Sequence, residues 1–358
     1  MRYFEKINKN LFHKEPRDIN KNSGKDLLQY ALGANLYMNG LKDIFDKLIS
    51  GSFENTGLIT ICFEDSVKES DLKECENNVF NLLNKLMVHK ENGLLNEDKI
   101  PLIFIRVRNI NQFINFTERL DENQISFISG FTFPKFDTNN AIVYLENLEN
   151  LNNKFGVKLY AMPIFESEAI LYKESRMKEL LALKSILKEY KDIILNIRVG
   201  GTDFSSKFGI RRGVEYSIYD IRVVAECLID IVNIFSRRED EYVISAPVWE
   251  YFSKDIESKE IQGLINEINY DKENGFLGKT VIHPVQCKYV NAAYSVSYED
   301  YIDSKKIIEA SGDGGVFKGL GDNKMNEVLP HLSWARKNMI KSEVFGVLKK
   351  GITVDKLY

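Results

Sequence analysis

Short apolar runs rich in β-branched and aromatic residues alternate along the chain with longer stretches whose apolar residues recur every three or four positions. The first pattern suits strands buried in a sheet, the second helices laid against one. Runs at 27–32, 58–63, 102–107, 126–133, 157–163, 193–199, 242–246 and 279–283 predict strands, and 72–88, 137–153, 174–190 and 218–235 predict helices. Strand alternating with helix is the rhythm of βα units around a parallel sheet. Eight such units favour a closed (β/α)8 barrel, a TIM barrel, over an open α/β sheet. Segments 88–99 and 247–278 read as insertions, the second with helices of its own. Past residue 283 the pattern changes: 298–311 and 325–342 predict helices joined by the glycine-rich SGDGGVFKGLGDN. At the other end Tyr3, Phe4, Ile7 and Leu11 share one helical face, which predicts a short amphipathic helix docked on the body or on a neighbouring subunit. The expected organisation is an N-terminal arm over 1–24, a barrel over 25–295 and a C-terminal helical extension over 296–358.

Composition narrows the picture without redirecting it. A chain of 358 residues can bury the core of one large barrel, and no Pro- or Ser-rich linker divides it. With 44% hydrophobic and 28% charged residues it reads as an ordinary folded protein, and a net charge of −4 offers no field for nucleic acid. Cys62, Cys75, Cys227 and Cys287 are scattered, with no C-x-x-C pair, so neither a zinc site nor a disulfide framework is expected. No signal peptide and no long apolar span is visible, which predicts a cytoplasmic protein without a membrane partner.

In a parallel barrel the active site gathers at the C-terminal ends of the strands, so charged residues that terminate apolar runs are the ones to weigh. Glu64-Asp65, Arg106, Lys135, Glu166, Asp203 and His283 all occupy such ends. One charged strand end is commonplace, since every strand must leave the core. Six in one chain point to chemistry.

The segments that carry these residues are ICFEDSV (61–67), IRVRN (105–109), FPK (133–135), PIFES (163–167), VGGTDFSSKFG (199–209), GFLGKTVIHPVQCKYVNAAY (275–294) and GDNKM (321–325). In type and order they resemble the citrate lyase β-subunit-like family of the hydroxy-oxo-acid aldolase superfamily. The insertions and the Arg-Val-Arg triplet suggest a divergent branch similar to the C–C bond lyases found beside tellurite-resistance genes. The resemblance implies a Mg²⁺-dependent lyase, with Mn²⁺ as a substitute, that makes or breaks a carbon–carbon bond by retro-aldol or retro-Claisen chemistry on an anionic oxo- or hydroxy-acid. It also implies a homo-oligomer, a trimer or a multiple of one. A CoA-thioester lyase or thioesterase on the same scaffold, and a ligand-binding barrel without turnover, are the alternatives.

The resemblance implies Glu166 and Asp203 as direct metal ligands. Their chemistry agrees, because Mg²⁺ takes oxygen ligands at ~2.0–2.1 Å, usually one or two carboxylates with waters and substrate oxygens. Glu64 and Asp65 match the family's acidic pair, which orients metal-bound water, or they cap the following helix. Arg106 matches the family's arginine that stabilises an enolate. Arg108, two residues on, projects to the same side if the strand continues. The family has Asn there, so Arg108 signals a more anionic substrate, such as a phosphorylated one, or else it pairs with an acidic neighbour such as Glu64.

Lys135 reads as a positioning cation, with a Schiff base as the competing mechanism. Gly201 and Thr202 bring backbone and hydroxyl near a ligand, or form a tight turn. Arg211 and Arg212 are phosphate or carboxylate contacts, or a solvated basic loop. His283 is an orienting hydrogen-bonder or a proton shuttle. By resemblance the C-terminal segment crosses to a neighbouring subunit and brings Asp322 near its metal.

Overall fold

The structure, a computed structural model, describes residues 3–53, 55–239 and 241–358. Eight parallel strands form one sheet: β1 (Ala34–Asn39), β2 (Leu58–Cys62), β3 (Leu102–Arg106), β4 (Gly130–Phe133), β5 (Tyr160–Phe165), β6 (Ile197–Val199), β7 (Ile244–Ser245) and β8 (Lys279–Val281). Each pairs with the next in sequence, and β8 returns to pair with β1. The gap between β7 and β8 is bridged where Ala246 lies parallel to Lys279, with Ala246 N donating to Gly278 O at 2.9 Å. The sheet thus closes on itself as a TIM barrel.

Helices wrap the outside. They are α1 (Leu72–Glu91), α2 (Ile110–Glu118), α3 (Ala141–Phe155), α4 (Lys173–Glu189), α5 (Arg222–Phe235), α6 (Lys259–Glu273) and α7 (Pro284–Ala293). Their buried faces, such as Val79, Leu83 and Leu86 of α1, join the strands in one continuous core. Asp121 and Gln124 form a reciprocal cap at the helical turn before β4, which begins four residues later than the apolar run suggested.

The first strand is a correction. Residues 27–32 do not pair in the sheet: Lys25–Leu28 is a helical turn, and β1 starts at Ala34. Leu28, Tyr30, Ala31 and Leu32 are buried nonetheless, so their apolar run reports core packing without sheet pairing. The real strand, ANLYMN, hides from a search for apolar runs because Asn35 is buried and accepts a hydrogen bond from Thr60 at 2.8 Å.

Gly33 opens β1 at φ +40, and a Cβ there would meet Asn291 Oδ1 at 2.2 Å. That same oxygen accepts the Ala34 N–H at 2.8 Å, so the NAAY segment locks the start of β1 onto α7. Gly278 at φ +80 approaches Gly33 O so closely that a Cβ would stand 2.5 Å away. The run 275–294, one of those that carry the resemblance, therefore helps to close the barrel.

The arm is also a correction. It forms a single turn of 3-10 helix at Lys9–Leu11 and a strand Phe12–Lys14, which pairs antiparallel with Val347–Leu348. Tyr3, Phe4 and Phe12 are buried, with Tyr3 stacked on Phe345 at 4.9 Å, so the arm docks on the C-terminal end of its own chain. In the extension, α8 (Tyr298–Glu309) and α9 (Val328–Phe345) pack on one another around Ile307, Leu332 and Ala335. The glycine-rich link between them is a β-hairpin, with Val316–Lys318 paired to Met325–Glu327. All four cysteines are buried and unpaired. Among the described residues no helix is long and apolar enough to cross a membrane.

Candidate active site

Because the strands are parallel, residues at their C-terminal ends share one mouth. Arg106 is the last residue of β3, Glu64 and Asp65 follow β2, Lys135 follows β4, Glu166 follows β5, and Asp203 lies in the short helix Gly201–Ser206 after β6. Arg106 is the hub. Its Nη2 lies 2.6 Å from Glu64, 3.1 Å from Asp65 and 3.2 Å from Glu166. Lys135 Nζ pairs with Glu64 and lies 3.8 Å from Asp65, while its backbone N–H donates to Glu166 Oε1 at 2.9 Å. That donation requires the left-handed backbone of Lys135, φ 47.

Glu64, Arg106 and Glu166 are buried; burial raises the two acids, while in Arg106 it is outweighed by Glu166, Tyr37 and Glu64, which hold the guanidinium protonated. Burial, with the Asp203 charge adding to it, pushes Glu166 up to about 8 even though Arg106 acts the other way. Burial likewise raises Glu64 against the pull of Arg106. Asp65 resists the effect of burial and is held low by its bond to Glu64 and by the Arg106 and Lys135 charges. Lys135 is raised: burial opposes its charge, but Glu64 and Asp65 outweigh it. A lysine held protonated is a poor Schiff-base nucleophile, so the arrangement favours the positioning cation over the Schiff base.

A cavity of about 380 Å³ opens here, lined among others by Asp65, Arg106, Glu166, Gly201, Thr202 and Asp203. Glu166 Oε1 is bound by Arg106 and Lys135. Among the described residues Oε2 and the Asp203 carboxyl have no hydrogen-bond or ion-pair partner, yet the two acids are close enough for one to raise the other. Two acidic oxygen donors, mutually repelling and facing one cavity, fit a hard divalent cation whose other positions are filled by water and substrate oxygens. No group of three or more His, Cys, Asp or Glu side chains among the described residues is arranged to hold a metal alone. Gly200 explains the glycine pair: a Cβ there would stand 2.5 Å from Glu166 Oε2, and one on Gly201 2.7 Å from Pro247.

Other expected residues lie elsewhere. Arg108 is beyond the end of β3 and turns back, its Nε donating to Phe63 O at 3.1 Å and its Nη1 pairing with Glu69 at 2.9 Å. It is not a substrate-facing cation, which removes the reason to expect a phosphorylated substrate, and its acidic partner is Glu69, since Glu64 belongs to Arg106. Arg212 is buried away from the cavity, paired with Glu267 and with Glu250 at 3.3 Å, while Arg211 is exposed. His283 caps α7, its Nδ1 accepting the Val285 N–H at 3.2 Å, and its ring stacks on Phe252 at 4.4 Å. Asp322 sits exposed in the extension's hairpin, 3.4 Å from Lys318.

Among the cavity residues that escaped sequence reasoning are Tyr37 of β1, Arg198 of β6 and Thr280 of β8. The available signal was a lone arginine inside the apolar run ILNIRV.

The family comparison now has its geometric context. A family model described as C–C bond lyase of the TIM-barrel fold matches residues 26–347. The chain belongs to that lyase family. No curated protein matches it. Among solved structures, this C–C bond lyase family member is similar to a citrate lyase from Burkholderia xenovorans, at 15% identity and TM-score 0.66, over 91% of this chain and 96% of that one. It is similar to the protein CitE from Mycobacterium tuberculosis in complex with magnesium, acetoacetate and coenzyme A, at 15% identity and TM-score 0.56, over 88% and 99% of the two chains. A third is the Haloferax volcanii malate synthase in complex with magnesium and glyoxylate, at 13% identity and TM-score 0.54, over 73% and 74%. At these identities the likeness is one of fold.

Proposed function

We propose that this protein is a Mg²⁺-dependent carbon–carbon bond lyase, with Mn²⁺ as a substitute, that cleaves a small oxo- or hydroxy-acid beside a carbonyl or runs the reverse condensation. The observation that carries the reading is the pair Glu166 and Asp203, whose unpartnered oxygens face one cavity next to the buried Arg106. The magnesium held by the solved relatives from M. tuberculosis and H. volcanii supports it.

Glu166 and Asp203 would hold the ion, which supplies Lewis-acid stabilisation of charge on a substrate oxygen. In the cleavage direction a substrate hydroxyl loses its proton and its oxygen becomes a carbonyl. The electron pair of the broken carbon–carbon bond leaves with the other fragment as an enolate, which then takes up a proton. Arg106, pinned by Glu64, Asp65 and Glu166, presents a fixed cation to that developing charge without reorganising, which is where electrostatic catalysis gains most. Asp65, which lines the cavity, and Glu64, which accepts the Asp65 N–H at 3.1 Å, have proton affinities driven apart and would hold or move the proton.

The test is release of a 2-oxo acid from candidate hydroxy-acids with Mg²⁺ present. Glu166→Gln and Asp203→Asn are each expected to lower turnover by about 10²-fold or more, the scale for losing a preorganised charge contact, with unchanged circular dichroism. Undiminished activity in either variant, or in excess chelator, overturns the reading.

A further inference from the structure

Among the described residues, the arginines and lysines that are less than a tenth exposed come with carboxylates, with one exception. Arg106 has Glu64 at 2.6 Å, Arg176 has Asp230 at 2.8 Å, Lys279 has Glu267 and Asp271 at 2.8 Å each, and Arg212 has Glu267. Arg198 is 1% exposed and, among the described residues, makes no ion pair. Its Nη2 donates to Thr280 Oγ1 at 2.6 Å and its Nη1 to Asn196 Oδ1 at 3.4 Å, the Tyr37 hydroxyl also hydrogen-bonds to it, and its buried Nε has no partner among the described residues. A guanidinium stays charged under ordinary conditions. An uncompensated charge out of water costs several kcal/mol even after relaxation, so a position of this kind calls for a counter-anion.

A counter-anion has room in the cavity beside it. Arg198, Thr280 and Tyr37 all line the 380 Å³ cavity that Glu166 and Asp203 also line. Ile164 of β5 is in register with Arg198 of β6, so Glu166 stands two residues nearer the mouth, ~7 Å at the rise of a strand. The cavity therefore has a carboxylate pair at its mouth and, one layer deeper, a cation that no carboxylate compensates among the described residues. Tyr37 lies between the two arginines, its ring 5.9 Å from the Arg106 guanidinium carbon.

We propose that Arg198, with Thr280 and Tyr37, forms a buried subsite for a second carboxylate of the substrate, so that the chain takes a compact diacid whose far end is buried beneath the metal pair. A carboxylate matches the planar fork of one guanidinium, and a single cation with a hydroxyl suits its single charge. The proposal rests on reading the cavity as the substrate site, and its test keeps the two apart.

The experiment is calorimetric titration of the full chain with malate and with lactate, which share the 2-hydroxy acid end and differ in the second carboxylate, each with and without Mg²⁺. The wild type is expected to bind malate at least about tenfold more tightly than lactate, a difference of about 1.4 kcal/mol. Arg198→Met removes that preference and leaves lactate binding unchanged, while Arg198→Lys retains part of it. Arg198→Met is also expected to melt no lower than the wild type without ligand, because relief of a buried charge that no carboxylate compensates offsets the loss of its hydrogen bonds to Thr280 and Asn196. A malate preference that survives in Arg198→Met, a lower melting temperature for that variant, or binding of neither acid overturns the subsite. Mg²⁺-dependent binding without dependence on Arg198 leaves the lyase reading standing and removes the diacid. Arg198-dependent malate binding indifferent to Mg²⁺ does the reverse.

Discussion

Strand β8 separates two buried charge networks with opposite characters. Lys279 faces outward to α6, where it meets Glu267 and Asp271 at 2.8 Å each. Arg212 joins the same Glu267, which also accepts the Ile218 N–H at 2.7 Å, and the Tyr219 hydroxyl donates to Asp271 at 2.8 Å. None of these side chains lines the candidate cavity, although Arg212 reaches its border by donating to Val248 O. The next residue, Thr280, faces inward to Arg198 and the cavity, where Arg106 Nε, Arg198 Nε and an oxygen of Glu166 lack partners. Burial and ionic pairing are common to both, so neither marks a functional site. Incomplete pairing beside a cavity does.

The contrast can be broken in three places. The largest effect is expected on the closed side: Glu267→Ala strands Lys279 and Arg212 in the interior, and unpairing a buried ion typically costs about 3–5 kcal/mol. Urea unfolding should show that loss while the folded fraction keeps its Mg²⁺ affinity; a weakened metal site would show that the networks are coupled.

On the open side the order of costs should reverse. Gly200→Ala places a methyl 2.5 Å from Glu166 Oε2, and overpacking of this kind costs about 1–3 kcal/mol. Its larger consequence is a displaced carboxylate, read as weaker Mg²⁺ binding by calorimetry. Unaltered binding in a stable variant would detach Glu166 from the metal.

The smallest effect concerns pH at the rim. Burial, then the charges of Lys254 and Lys42, lowers His283 below its ordinary value. A lowered histidine binds protons more readily in the unfolded chain, so its stabilising cap on α7 is present above pH ~6.5 and fades as pH falls through the folded value. An Asn cap at position 283 does not titrate. The stability difference between wild type and His283→Asn should therefore shift toward the variant from pH 7.5 to pH 5 by up to about 1 kcal/mol, the usual worth of a cap. A constant difference would show that the cap does not titrate.

Much of this was legible in residue order. Seven of the eight strands lie within or against the apolar runs that predicted them, because strands covered on both faces are apolar throughout. β1 was missed because Asn35 and Tyr37 are polar where the barrel interior meets the cavity. Charged strand ends pointed to Arg106, Glu166 and Asp203, whose convergence follows from parallel strands. The reading of Arg108 failed because two-residue alternation applies only while a strand lasts, and β3 stops at Arg106.

The sequence by itself determined the βα rhythm, the barrel class and the family, since these rest on local periodicity and on motifs in fixed order. Only the tertiary structure decided which charges are spent and which are free. Alternation says that Lys279 and Thr280 point opposite ways, and that Arg198 parts from its neighbours in the same manner, but it does not say which set faces in. That assignment comes from closing the sheet, which brings Thr280 to Arg198 across 82 residues of chain and leaves that arginine without a carboxylate.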